Sequence, residues 1–204
     1  MVDIFNLIKS NKSVFKIVKV STLIAIFFQF IGFLILQLIE FDPNNLSLIS
    51  ASTLVIELFL VLFFALGLIK IGLIQKKKVL SYLVTLTIIY TIIQYIIVFG
   101  KGFSLINVGE TIVFDYLRIP LDLYIYYTLF KNINSIPFIK KIGGLGILIE
   151  LISFSLSLII HIDVKNNLII GGYFIIAMVL NFILTFISNI YAYKMFKHLA
   201  EKEK

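Results

Sequence analysis

The stretch Gln75–Gly102, QKKKVLSYLVTLTIIYTIIQYIIVFGKG, decides the fold class. Three lysines close it at one end and Gly-Lys-Gly at the other, and no residue from Val79 to Phe99 is charged. A soluble helix needs a polar face for water, whereas about 20 consecutive apolar residues match the hydrocarbon thickness of a bilayer.

The pattern recurs along the chain. Of 204 residues, 60% are hydrophobic and 14% charged, where a soluble domain averages about 25% charged. Six apolar segments stand out, at 20–39, 48–69, 79–99, 111–130, 142–160 and 168–191. Between them lie Phe-Asp-Pro-Asn-Asn at 41–45, the lysine run, Gly-Lys-Gly, a stretch at 132–141 holding Pro137, and Asp-Val-Lys-Asn-Asn at 163–167. These are turn-forming or charged compositions. The expectation is an all-α polytopic membrane protein, a six-helix transmembrane bundle in which 1–204 is one integral membrane domain. The N-terminal segment lacks the short apolar core and small-residue cleavage site of a secretory signal, so the first segment is expected to remain as a span. Residues 1–12, with Ile4, Phe5 and Ile8 beside Lys9 and Lys12, read either as a short helix on the membrane surface or as a frayed terminus.

Lysines set the expected orientation. Fifteen fall on one side of the six segments, and only Lys101 and Lys165 on the other. Glu40, Asp42, Glu110 and Asp163 share the lysine-poor side. The lysine-rich side is expected to be cytoplasmic, with both termini inside and the cell membrane as the site of residence. This segregation accounts for the net charge of +7. No basic stripe interleaved with aromatics points to nucleic acid.

Residues 19–46 can be laid over 140–168 as a weak repeat: Lys19 on Lys140, Gln29 on Glu150, Phe33 on Phe154, Asp42 on Asp163. Parallel repeats of this kind occur in transporters.

Polar residues within the segments recur at helical spacing. The stripes are Thr22, Gln29 and Gln37; Ser50, Thr53 and Glu57; Thr87, Thr91 and Gln94; Asp115, Arg118, Asp122 and Tyr126; Glu150, Ser153, Ser157 and His161; and Asn181, Thr185 and Ser188. Hydrocarbon offers these groups no hydrogen bonds, so the stripes are expected to face inward. Arg118 is three residues after Asp115 and four before Asp122, so its guanidinium can reach a carboxylate on either adjacent turn. Pro120 removes one helical donor among them. Glu57 and Glu150 have no charged partner in their own segments.

Two readings of these groups stand side by side. In one, Glu57, Arg118, Asp122 and Glu150 form an acidic intramembrane site for a proton or small cationic ligand, in a transport or ligand-binding bundle. In the other, Arg118 neutralises its own helix, and the glutamates bond neighbouring hydroxyls and amides to specify packing. The second suits a non-catalytic subunit or assembly factor with a protein partner, or a homo-oligomer. An intramembrane enzyme acting on lipid, with Asp122 or Glu150 as general base, is weaker, because no nucleophile or metal constellation accompanies these acids. With no cysteine and two separate histidines, zinc-site spacing is absent. There is also no phosphate-binding glycine loop and no nucleophile elbow. Gly143-Gly144-Leu145-Gly146 opens an apolar segment instead of following a strand, and reads as a close helix contact or a flexible helix start. No cofactor is expected.

Overall fold

The computed structural model describes residues 2–38, 43–101, 108–166 and 172–203. Among the described residues the chain is entirely helical. The elements are α1 (Val2–Ser10), α2 (Ser13–Leu38), α3 (Pro43–Ile74), α4 (Lys78–Lys101), α5 (Val108–Asn132), α6 (Ile139–Asn166) and α7 (Gly172–Lys202). This is one helix more than the six apolar segments, because the N-terminal residues form α1. The helices overrun the apolar segments at their ends, since polar flanks satisfy helical hydrogen bonds as well as apolar residues do. Three stretches among the described residues are long and apolar enough to cross a membrane: Ser13–Ile31, Lys78–Ile97 and Val179–Lys202. Ile17, Val20, Ile24, Phe27 and Ile31 of α2 stand exposed, as do Leu86, Ile89, Ile93 and Ile96 of α4. Apolar exposure on this scale is unsuited to water and points to a membrane-associated chain. The turns that close both copies of the weak repeat include residues outside the described set.

The helix junctions have identifiable causes. Asn11 closes α1 through its N–H to the Leu7 carbonyl and opens α2 through its side-chain oxygen, which accepts the Ser13 N–H at 2.9 Å. An asparagine in this role satisfies one of the free donors of a helix start. At the end of α3, the Lys77 N–H reaches back to the Gly72 carbonyl at 2.7 Å and the Lys76 N–H to that of Leu73. Lys76 sits between them at φ 56°. This is the six-to-one, five-to-two pattern that ends many helices, with lysine where glycine is usual. The charged run therefore forms a tight corner. Phe138, at φ 66° before α6, is the second left-handed residue.

The chain forms two compact units, one of Met1–Ile92 with Ala192–Lys204, the other of Ile93–Tyr191. In unit one the last turns of α7 bring Phe196, fully buried, against Phe15 at 6.1 Å and edge-on to Phe64 at 5.8 Å. Gly67 permits this, because a Cβ there would lie 2.6 Å from the Phe196 ring. Ser81, also buried, donates to the Ile69 carbonyl at 3.0 Å and ties α4 to α3.

Unit two is built on the hairpin of α5 and α6. Ile125, Leu129, Ile133, Ile139 and Ile142 fill its seam. Gly143 and Gly146 bring the backbones together: a Cβ on Gly143 would sit 2.5 Å from the Phe130 nitrogen and 2.7 Å from the Tyr126 carbonyl oxygen. Small residues on a contact face let apolar helices approach closely. Phe138 stacks on Tyr191 at 5.9 Å, and the Lys141 ammonium lies over the same ring at 4.9 Å.

Candidate functional site

The α5–α6 hairpin carries the ionisable cluster of unit two. On α5, Arg118, Asp122 and Tyr126 follow one another at single-turn spacing. The Arg118 Nε stands 3.1 Å from Asp122 Oδ2, with the two side chains 31% and 14% exposed. α5 continues through Pro120, which is exposed, so the proline turns its ring away from the cluster. On α6, Glu150 is buried at 7% exposure, one turn beyond Gly146. Tyr126 connects the helices. Its ring lies where a Gly146 side chain would be, and its hydroxyl is within the field of Glu150, Asp122 and Arg118. The glycines thus set the distance at which the α6 carboxylate faces the α5 stripe.

The polar face of α6 continues toward α7. Ser153, one turn past Glu150, accepts a hydrogen bond from Asn181 Nδ2 at 3.3 Å. The other atom of that amide, Oδ1, is buried without a partner. On α4, Thr87 Oγ1 and Gln94 Oε1 are likewise buried and unpartnered. Such groups are costly in an apolar setting and mark polar faces turned away from the exposed surface.

Several expected polar residues say less. Thr22 and Thr185 give their hydroxyls to carbonyls of their own helices, Lys19 and Asn181. A hydroxyl satisfied within its own turn needs no site to explain it.

Of the four residues expected to form an acidic site, Arg118, Asp122 and Glu150 lie together in unit two. Glu57 is on α3 in unit one, and its side chain lies outside the described residues, as do those of Asp115, Ser157 and His161. Among the described residues, no group of three or more His, Asp and Glu is placed to hold a metal ion.

Unit one holds an ionisable cluster that the lysine pattern conceals. Lys70 is wholly buried. Its ammonium donates to the Asn11 carbonyl at 2.7 Å and to Glu203 Oε2 at 2.9 Å, and lies 4.5 Å from the centre of the Phe15 ring. One residue thereby joins the α1–α2 corner, the end of α3 and the last turn of α7. The signal in sequence was its position: Lys70 is separated from the lysine run by Ile-Gly-Leu-Ile-Gln and so belongs to an apolar turn.

No protein-family model matches this chain, and neither do the curated proteins or the solved structures. What the site does must therefore be argued from its own chemistry.

Proposed function

We propose that the chain is a multi-pass membrane protein of six spans, with both termini cytoplasmic, that binds and moves a small cation or protons at an acidic intramembrane site. The observation that carries this reading is the pairing across the α5–α6 seam of a buried carboxylate, Glu150, with a stripe that already holds the ion pair Arg118–Asp122 and the hydroxyl of Tyr126. Within the six apolar segments four carboxylates, Glu57, Asp115, Asp122 and Glu150, stand against Arg118 alone. A proton or a cationic ligand offsets this excess of acid, because carboxylates are expensive to hold as ions in hydrocarbon. Tyr126 and the unpaired amide atom of Asn181 supply neutral groups to complete a coordination shell.

Six spans follow from the six apolar segments, each of which coincides with one of α2–α7, and from lysine segregation that an odd count would destroy. The plasma membrane is the residence proposed for a chain with this orientation.

The test is uptake or binding in reconstituted vesicles across a panel of monovalent and divalent cations, small organic amines and an imposed proton gradient. Glu150→Gln should abolish the response at unchanged expression and melting temperature, and Asp122→Asn should abolish it with a lower melting temperature, because it removes the carboxylate paired with Arg118. Parent-like uptake in both variants would remove the site.

A further inference from the structure

α1 is nine residues long, yet its apolar sector is wider than the protein covers. Phe5 and Ile8 form one half of the sector. They are half-buried, and the Phe5 ring meets Tyr82 edge-on at 5.4 Å. Ile4 and Leu7 form the other half and stand 61% and 67% exposed. A helix that only braced unit one would have no use for them.

The contact with Tyr82 places α1 beside the corner between α3 and α4. Val79, one turn from Tyr82, is 61% exposed. Lys76, Lys77 and Lys78 at the corner are exposed, as are Lys9 and Lys12 after α1. Asp3 is the one carboxylate of α1, and none occurs from Ile4 to Leu38 or from Ile71 to Lys101, so these five lysines have a single carboxylate in their own segments. Exposed aliphatic residues beside an excess of exposed lysines match the two layers of a membrane surface: acyl chains for the former, lipid phosphates for the latter.

We infer that α1 and the α3–α4 corner form a docking surface for anionic phospholipid headgroups. Ile4, Leu7 and Val79 enter the acyl boundary, and Lys9, Lys12 and Lys76–Lys78 lie at the phosphates. The inference rests on the membrane-spanning reading but not on the acidic site.

The chain has no cysteine, so single cysteines can be labelled directly. Leu7→Cys carries a polarity-sensitive fluorophore. Phe27→Cys on the exposed face of α2 serves as the reference. Both are reconstituted into vesicles of phosphatidylcholine alone or mixed with phosphatidylglycerol. The Leu7 fluorophore should report an apolar setting in the anionic vesicles and water in the neutral ones, and should return to water at high salt. Neutralising Lys77 or Lys78 with glutamine should each lower the ratio of seated to unseated α1 about fivefold at low salt. A fluorophore at Leu7 that reports water in both vesicles, while that at Phe27 reports lipid, overturns the inference alone. So does one that reports lipid in both and ignores salt. Water at Phe27 overturns the membrane-spanning reading and the inference with it.

Discussion

Three glycines in one motif should respond to alanine in three different ways. Each stands in α6, where exchanging glycine for alanine stabilises a helix by about 0.5–1 kcal/mol. At Gly144 the nearest atoms to an added Cβ are on the Phe130 ring at 3.6 and 3.7 Å, an ordinary contact, so Gly144→Ala should keep the whole gain. At Gly143 the Cβ would meet the backbone of α5 at 2.5, 2.7 and 2.9 Å. No rotamer change relieves a clash with backbone, so the helices must part by about 1 Å at a cost of about 1–3 kcal/mol for overpacking. After the helical gain, Gly143→Ala should lose about 1–2 kcal/mol. At Gly146 the obstacle is the Tyr126 ring, which can move only by leaving its place in the α5–α6 seam. Gly146→Ala should therefore cost a similar amount and reduce ligand binding as well. Thermal unfolding in mild detergent reads the order directly, at about 2–4 °C per kcal/mol for a chain of this size. Gly144→Ala should melt above the parent and the other two below it. If Gly143→Ala melts with or above Gly144→Ala, the backbones do not meet at Gly143 and the seam that positions Glu150 is wrongly drawn.

Three further outcomes can be checked by the same melts. Glu203→Ala leaves the buried Lys70 ammonium without an anion and should cost about 2–3 kcal/mol, at the low end for a broken buried pair because Glu203 is 21% exposed; Lys70→Met, which removes the charge instead, should cost distinctly less, and equal losses would refute the account. Lys76→Gly should stabilise by about 1 kcal/mol by relieving a left-handed backbone, whereas Phe138→Gly, with the same relief, should destabilise because it discards the stack on Tyr191. Ser81→Ala should cost about 1 kcal/mol for the bond to Ile69, and Ser81→Val more, since its added methyl groups crowd the space beside Gly72.

The helical content was legible because apolar runs of this length admit few alternatives, and α2–α7 each cover one of them. The stripe Arg118–Asp122–Tyr126 was legible too, since a helix converts spacing into a shared face. Helix pairing was harder to read. Gly-Gly-Leu-Gly permits a close contact without saying with which helix, and only the structure brings Gly146 onto the Tyr126 ring. The role of Lys70 was not legible, for a physical reason. A lysine near the end of an apolar segment is usually anchored in the headgroup region, and its actual partners, Asn11 and Glu203, are 59 and 133 residues away. α1 was left open between helix and frayed terminus because a helix that short is unstable alone. Its helicity depends on Phe5 and Ile8 finding a surface, which no local pattern encodes.

The two ionisable clusters differ in a way that bears on which of them works. Lys70 is closed: its side chain has no exposed surface, and a carboxylate, a carbonyl and an aromatic face surround its charge. Nothing can be added without removing something, which is how a structural clamp is built. The α5–α6 cluster is built differently. Its arginine side chain is 31% exposed, and a second carboxylate, the buried Glu150, stands on the facing helix one turn from where the Tyr126 ring meets Gly146. On the proposed reading a cation is taken up and released there, because binding trades one set of partners for another instead of breaking a closed shell. The distinction predicts opposite responses to neutralisation. Variants at Lys70 and Glu203 should lower the melting temperature and leave the affinity of the folded protein unchanged. Glu150→Gln should leave melting near that of the parent and remove the ligand's effect on it. A Glu150→Gln protein that melts far below the parent and still gains stability from the ligand would reverse the two assignments.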